Sequence, residues 1–410
     1  MARKSSLDGP TSYAWAGGAF GLMLLGRWSP DRLFDAEMNE LFWVAKIAAL
    51  LLLTLVVAMP TSAAADRKAP GFWLYIVLIG YVLASFLWTP VRTVYSELKL
   101  GDLAYNVVLV GVVAAGLCRP HLRAAFWPML LAALGLMAAI GVIMAPTAIQ
   151  NSIDGRLAVL GGGPNIFGRN MGILIVACVF FGLNFAKFRI ICAVIAAMAL
   201  IGLIASGSRG ALGATLVALL LLVAMDPVTR SFAFKRPLII AAMGLFGAAS
   251  LLFVDLGIVA EVGNERYVEQ TLQAGYLSMR DVLFQWAYSF WLEAPIFGNG
   301  LGSFALVTSL EYPHNILMEF LCETGAVGFL GFLLFAGTAA WKQLTAGGPE
   351  KALILALATL VFVSALVSGD FVDSRFVFLF LLYPVSMRAA GVRLRFQPTP
   401  PSFQTGPRRP

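Results

Sequence analysis

Three residues suited to phosphate binding and proton transfer stand out in this chain. Arg209 lies in a short serine- and glycine-rich segment between two apolar stretches. Arg280 comes directly before an amphipathic stretch over 282–291, and His314, one of two histidines, comes directly before another apolar stretch. Guanidinium groups bind phosphate through paired hydrogen bonds, and imidazole exchanges protons near neutral pH. The three side chains therefore predict an anion site beside a general base.

A second set of polar residues lies within or next to the apolar stretches. Glu319 and Glu323 are four residues apart and so share one face of a helix, where we expect them to pair with an arginine. A metal between them is the alternative, but no further carboxylate or histidine follows at ligand spacing, so we predict no metal and no cofactor. The residues predicted to contribute to substrate binding are Arg156, Asn165, Arg169, Asn315, Glu319 and Glu323.

Each of these residues, taken alone, also has a structural explanation. Arg209 could be an interfacial arginine that follows a helix-capping serine, and Arg280 could form a surface pair with Asp281. His314 could simply lie beside a helix start, and Arg169 could be the partner of a buried carboxylate. The functional interpretation rests on the combination, because several arginines and one histidine converge on one side of the molecule.

Composition restricts the elements that can hold these residues. The 410 residues are 60% hydrophobic and only 12% charged, with a mean hydropathy of +0.84. Soluble domains carry about a quarter charged residues, and disordered chains carry few apolar ones, so both classes are excluded. Continuous apolar runs argue against a β-barrel, whose strands alternate. We predict an all-α polytopic membrane protein with its four cysteines in the apolar core.

A membrane span needs about 20 mostly apolar residues, and the chain contains twelve candidates. They lie at about 13–26, 41–59, 72–88, 102–118, 126–144, 166–185, 190–205, 210–225, 238–254, 315–335, 352–369 and 376–390. We predict one helical domain over 1–390, with a long outer loop at 255–313. The remaining residues, 391–410, form a basic, proline-rich cytoplasmic tail.

The charges orient these spans. With the N-terminus inside, most basic residues fall in inner segments and most acidic residues in outer segments, as the positive-inside rule requires. Both termini are then cytoplasmic, and the arginines and His314 lie on the outer side. The net charge of +7 averages two opposite surfaces, so it does not indicate nucleic-acid binding. The pattern predicts a bacterial inner-membrane protein whose site faces the periplasm.

Three stretches of this sequence resemble the O-antigen ligase and O-antigen polymerase superfamily. They are Ser206-Gly-Ser-Arg209-Gly-Ala-Leu, Pro295-Ile-Phe-Gly298-Asn-Gly300-Leu-Gly302-Ser-Phe304, and the segment from His314-Asn315 through Glu319 and Glu323 to Gly325 and Gly328. A weaker match runs from Gly163-Pro-Asn165 to Gly172. The resemblance extends over most of 150–390, whereas the first four spans carry no such motif.

The resemblance implies a GT-C-like helical bundle and a metal-independent, inverting glycosyl transfer. The donor would be a glycan on undecaprenyl diphosphate, and the acceptor another glycan or lipid A-core, at the membrane surface. Carried over to this sequence, the family pattern implies that Arg209 and Arg280 hold the diphosphate and that His314 is the base. The products would belong to lipopolysaccharide, capsule or exopolysaccharide.

Two questions stay open at the level of sequence. Nothing in the chain separates a polymerase, which joins repeat units, from a ligase, which moves a finished chain to its acceptor. A secondary transporter, or a flippase for the same lipid-linked glycan, is the rival class, because charged residues lie within spans. No matching halves of the kind that inverted repeats leave are visible, which favours the enzyme.

Overall fold

The computed structural model describes residues 14–25, 39–59, 69–150, 155–159, 163–226, 280–308, 311–348 and 350–385. Over these residues the chain forms α-helices joined by turns and three short 3-10 segments, without β-strands. The helices are α1 (Ala14–Leu24), α2 (Asn39–Ala58), α3 (Phe72–Ala84), α4 (Val94–Leu117), α5 (Pro120–Gln150), α6 (Pro164–Asn184), α7 (Arg189–Ala205), α8 (Arg209–Met225), α9 (Arg280–Glu293), α10 (Ile316–Thr345), α11 (Lys351–Ser368) and α12 (Arg375–Leu382).

Apart from the last one, the predicted spans coincide with helices over the residues that the structure describes. Six helices of the described residues (α4, α5, α6, α7 with the short 3-10 turn before it, α10 and α11) are long and apolar enough to cross a membrane, and α1, α2, α3 and α8 are shorter apolar helices. The all-α prediction is confirmed over the described residues and agrees with a polytopic membrane protein, whereas the number of twelve spans stays a prediction. The candidate span 238–254, the loop up to residue 279 and the tail 391–410 lie outside the described residues.

The centre of the bundle is α6, whose side chains are nearly all buried. It begins at Pro164, a residue suited to the first helical turn because it has no N–H to leave unpaired. It packs against α7, α8 and α11. In contrast, α2, α3, α4 and α10 each expose large apolar side chains, as helices that face lipid do. Residues on α6 and its neighbours are therefore held most firmly.

The span predicted at 102–118 starts earlier than its hydropathy indicated. Thr93 and Ser96 form a reciprocal capping box, in which Ser96 N donates to Thr93 Oγ1 (3.1 Å) and Thr93 N donates to Ser96 Oγ (2.9 Å). This pair fixes the helix start at Val94. Lys99, which the predicted boundaries assigned to an outer segment, is therefore inside α4 and almost fully buried.

The last predicted span, 376–390, differs from the structure. α12 has only eight residues and ends at Leu382, which gives a rise of about 12 Å, too little to cross a bilayer alone. Tyr383 is extended (φ −60°, ψ 126°) because it precedes Pro384, which disfavours helical geometry in the preceding residue. α12 is instead buried within the bundle.

α10 is interrupted at Gly325, whose φ of 66° and ψ of −169° are not helical. The interruption divides α10 into two halves, which we name by their predicted orientation: the outer half, 316–324, and the inner half, 326–345. Amide groups freed at the break donate to carbonyl groups of residues 295–302, which we call the glycine-rich segment. Ala326 N donates to Pro295 O (2.9 Å), and Val327 N donates to Ile296 O (3.1 Å). A helix broken within a membrane protein requires such replacement partners.

The carbonyl groups freed at the break are also satisfied. Asn299 N donates to Cys322 O (3.0 Å) and Gly300 N donates to Glu323 O (2.8 Å). Tyr81, at the end of α3, donates its hydroxyl to Thr324 O (3.0 Å). The glycine-rich segment is thus a backbone joint that fixes the outer half of α10.

Candidate active site

The three predicted catalytic residues lie at the starts of three helices, at ends that the charge distribution predicts to be outer. Arg209 is the first residue of α8, Arg280 is the first residue of α9, and His314 lies two residues before α10. All three side chains are partly exposed. A substrate at this end of the bundle could therefore reach each of them.

Arg209 is positioned by a short turn between α7 and α8. Gly207 has a φ of 59°, which glycine adopts without strain. Ser208 is the N-cap of α8, and its Oγ accepts from Ala211 N (3.4 Å). The predicted helix start is confirmed, and the capping serine belongs to the structural explanation that Arg209 also has. Arg209 accordingly lies at a helix N-terminus, which carries a partial positive charge and favours anions.

The charges of these residues influence one another, which places the three side chains close together. Burial, and after it the positive charge of Arg209, lowers the pKa of Arg280 from its ordinary value. Burial, and after it the charge of Arg280, lowers the pKa of His314. An imidazole with a lowered pKa is neutral at pH 7 and can accept a proton. The arrangement therefore combines two cations with a neutral base.

The backbone at His314 is unusual. Its φ is 55°, a left-handed conformation that few residues other than glycine adopt, although histidine, asparagine and aspartate do so more often than most. The imidazole ring lies 4.3 Å, centroid to centroid, from the ring of Tyr312. Strained residues held by their surroundings cluster at functional sites, which agrees with a chemical role for this position.

Arg156 and Asn165 belong to one hydrogen-bond network beneath the turn that carries Arg209. Arg156 Nε donates to Ser206 O (2.9 Å), and Arg156 Nη2 donates to Asn165 Oδ1 (2.8 Å). Asn165 Nδ2 in turn donates to Ser368 Oγ (2.7 Å) at the end of α11. These groups hold the outer ends of α6, α7 and α11 together around the site.

Arg169 and Asn315 also make contacts within the protein. Arg169, on α6, is almost fully buried and donates to Asp373 O (3.1 Å). Asn315 is the N-cap of α10, since its Oδ1 accepts from Leu317 N and Met318 N, and its Nδ2 donates to Leu366 O (2.8 Å). Arg169 thus contacts a backbone carbonyl, where an ion pair with Glu319 or Glu323 was the structural alternative.

The expected partner of Glu319 and Glu323 is corrected by the structure. Both carboxylates pair with Lys99, whose Nζ lies 2.6 Å from Glu319 Oε1 and 2.7 Å from Glu323 Oε1. All three side chains are fully enclosed. No arginine takes this place, because the capping box extends α4 and carries Lys99 into the bundle. The ammonium also fills the gap between the carboxylates that the alternative assigned to a metal.

Lys99 is the residue that sequence reasoning missed. Part of the signal was present, because threonine is a common N-cap residue and Thr93 comes shortly before Lys99 in the sequence. Within the described residues, no three histidine, cysteine, aspartate or glutamate side chains form a group that could hold a metal.

Comparison with known proteins supports the family prediction. Residues 193–333 match the family described as O-antigen ligase, a segment that contains Arg209, Arg280, His314 and the joint at Gly325. No curated protein matches the chain. The match agrees with the resemblance carried by the motifs: residues 193–333 are similar to the O-antigen ligase family.

Proposed function

We propose that this protein transfers a glycan from undecaprenyl diphosphate to an acceptor hydroxyl at the periplasmic face of a bacterial inner membrane. The observation that carries the proposal is the convergence of Arg209, Arg280 and His314 from three elements at one end of the bundle. Two arginines match a lipid-linked diphosphate, and a neutral histidine beside them matches an acceptor that must lose a proton.

In this proposal the arginines bind the donor and stabilise the leaving group. Guanidinium groups form paired, charge-assisted hydrogen bonds with phosphate oxygens. When the glycosidic bond breaks, negative charge develops on the diphosphate, and Arg209, Arg280 and the N-terminus of α8 offset it. The reaction then needs neither a nucleotide nor a metal.

His314 acts as the general base. Its neutral imidazole takes the proton of the acceptor hydroxyl as the oxygen attacks the anomeric carbon. Undecaprenyl diphosphate leaves from the opposite face, so a single displacement inverts the anomeric centre. Arg156, Asn165, Arg169 and Asn315 shape the outer end around the donor. Glu319 and Glu323 are enclosed with Lys99, so they act from beneath the site.

The first experiment is gel and lipid analysis of surface glycan in a strain that lacks the protein. Long polymer stranded on undecaprenyl diphosphate identifies a ligase. Single repeat units, on the carrier or on the acceptor, identify a polymerase. Unchanged glycan contradicts the proposal and favours a transporter.

Complementation of that strain tests the residues. His314→Asn removes the base, yet asparagine adopts left-handed backbone readily, so the variant should fold. General base catalysis contributes about 10²- to 10⁴-fold, and we expect a loss in that range. Arg209→Ala should lose most transfer as well. Normal glycan from either variant, present at wild-type level in the membrane, would refute the assigned mechanism.

A further inference from the structure

The ion cluster of Lys99, Glu319 and Glu323 joins two distant parts of the chain. Lys99 Nζ lies 2.6 Å from Glu319 Oε1, 2.7 Å from Glu323 Oε1 and 2.8 Å from Glu323 Oε2. An ammonium has three protons to donate, and three carboxylate oxygens surround it at short distance. Lys99 Nζ donates to both oxygens of Glu323 and forms an ion pair with Glu319 Oε1.

The cluster also holds a second segment of the outer end. Glu319 Oε2 accepts from Phe371 N (2.9 Å), in the turn between α11 and α12, and the ring of Phe371 lies 4.6 Å from that of Phe320. The carbonyl of Asp373, two residues further along this turn, accepts from Arg169. Lys99 is thus connected through Glu319 to the α11–α12 turn as well as to α10.

Burying three charges needs a reason beyond stability. Desolvation of a buried ion pair costs about as much as the attraction returns, and apolar residues of similar shape often stabilise a fold equally well. A buried pair does, however, fix geometry, because breaking it leaves an unpaired charge. The position of this cluster indicates what it fixes.

The two carboxylates belong to the outer half of α10, 316–324, which is bounded by Asn315 as N-cap and by the break at Gly325. Glu319 lies in the first turn after Asn315, and Glu323 lies one turn further along the same face. His314 directly precedes the cap. The rotation and depth of this half-helix therefore decide where the imidazole points.

We propose that Lys99 is a positioning residue for His314 and that it acts through Glu319 and Glu323. The inference rests on the proposed function, since it assigns His314 the role of base. Arg209 begins α8, and Arg280 begins α9, which packs on α10 through an apolar cluster that includes Leu283, Ala287 and Cys322 and none of the three charged residues. Loss of the cluster should therefore lower kcat and leave binding of the diphosphate unchanged.

The test compares purified full-length variants in lipid nanodiscs. Lys99→Met alone leaves two buried carboxylates without their partner and endangers folding, so the main variant is K99M/E319Q/E323Q, which removes all three charges together. The donor is lipid-linked glycan extracted from the deletion strain. Undecaprenyl diphosphate is added as a product inhibitor. Because it carries no sugar, its inhibition constant reports only how well the arginines bind the diphosphate.

For the triple variant we expect kcat to fall about tenfold or more, since a displacement of about 1 Å can cost 10²-fold. The inhibition constant of undecaprenyl diphosphate should stay within about twofold of wild type, because the two arginines are not part of the ion cluster. A general loss of fold would change this constant as well, so the measurement separates the two causes. Lys342→Met, at an exposed lysine on the inner half of α10, is the matched control and should behave as wild type.

Two results overturn the proposal: a triple variant with wild-type kcat, and one whose loss lies wholly in diphosphate binding. If the triple variant does not fold, Glu323→Gln, which keeps the Lys99–Glu319 pair, should lower kcat about threefold or more, and unchanged kcat overturns the proposal. His314→Asn in the same assay separates the hypotheses, because full activity of that variant refutes the proposed function itself.

Discussion

The protonation state of His314 depends on its surroundings. Burial disfavours the charged imidazolium, and the adjacent Arg280 disfavours it further. The same arginine would hold the anionic donor, so one residue serves both substrates in the proposed reaction. In that proposal Arg280 would bind the diphosphate and would keep His314 neutral until the donor arrives.

The pH dependence of transfer should reveal this link. Because the pKa of His314 is lowered from 6.5, the neutral form dominates at pH 7. The value of kcat/KM, which reports the free enzyme, should therefore fall only as pH drops through that lowered pKa. Arg280→Gln removes one positive neighbour, so the pKa of His314 should rise. The acidic limb of the pH profile, where kcat/KM falls, should then move to higher pH.

Arg280→Lys is the matched control for this measurement. It keeps the positive charge, so its acidic limb should coincide with that of wild type although its rate is lower. The comparison requires only relative rates between about pH 5 and 8, the range in which histidine titrates. An acidic limb at the same pH in Arg280→Gln and Arg280→Lys would show that Arg280 does not act on His314.

Residues with local signals were predictable from the sequence. Arg209 after a capping serine and His314 before a helix follow from neighbouring residue types, and the structure places both as expected. Lys99 was not assigned to the cluster, because its contact with Glu323 spans 224 positions. Hydropathy alone placed the start of α4 too late in the sequence. The pairing of Lys99 with Glu323 depends on where α4 begins.

Among the elements, α10 is the one whose geometry determines the site. Its outer half carries Asn315 and the two buried carboxylates, and its inner half packs in the bundle. Gly325 separates them with a backbone conformation that only glycine adopts with ease (φ 66°, ψ −169°). A Cβ at this position would also overlap Gly298 N and Ile296 O.

Gly325→Ala should accordingly destabilise the protein and abolish transfer. The backbone conformation alone costs about 1–3 kcal/mol for a residue with a side chain, and the overlap with the 295–302 segment adds to this. We expect a clear fall in the melting temperature of the purified protein, measured by the fraction that stays monodisperse after heating.

Gly337→Ala is the appropriate control, because it lies in the same helix and its added Cβ meets nothing within 4 Å. Alanine is favoured over glycine in a helix by about 0.5–1 kcal/mol, so this variant should be as stable as wild type or slightly more stable. Equal melting temperatures for both variants would contradict the described joint.

At the level of helices, the sequence predicted where most helices lie, but it did not predict the break in α10 at Gly325. The amphipathic pattern over 282–291 corresponds to α9, and the apolar runs correspond to the other helices. The glycine-rich segment was recognised as a motif. Its packing against α10 depends on backbone contacts with Glu323 and Gly325, and periodicity carries no information about such contacts.

Across the whole molecule, segments predicted to lie on one side of the membrane meet one another. At one end, the turn before α8, the α11–α12 turn and the start of α10 converge. At the other end, Arg119 donates to Val56 O (3.0 Å) and Met59 O (2.9 Å), and Arg123 donates to Pro384 O (2.9 Å). The alternation of spans proposed from charge is compatible with this packing.

Cysteine labelling tests the proposed orientation. Ala158 is exposed at the end that carries the site, and Thr345 is exposed at the end of α10 on the opposite side. The four native cysteines are buried and should react slowly. A membrane-impermeant maleimide added to spheroplasts should label Ala158→Cys and not Thr345→Cys, and the reverse pattern would refute the orientation.

Hydropathy and the distribution of charge were enough to predict the fold class, because a bilayer leaves few ways to satisfy the backbone. The arrangement of helices around α6 was not predictable in this way. It depends on side-chain packing between helices that are all apolar, and the alternation of apolar runs does not distinguish one neighbour from another.

The glycine-rich joint limits what the shared sequence motifs can reveal about specificity. The 295–302 segment and Gly325 contact each other through backbone atoms, so their pattern records how one helix is broken and held. Two proteins that share the pattern then share the way in which the helix after this histidine is broken and held, whatever reaction each carries out. For the proposed transfer, the choice of acceptor is to be sought in the surfaces around this joint, where side chains can differ while the break is kept.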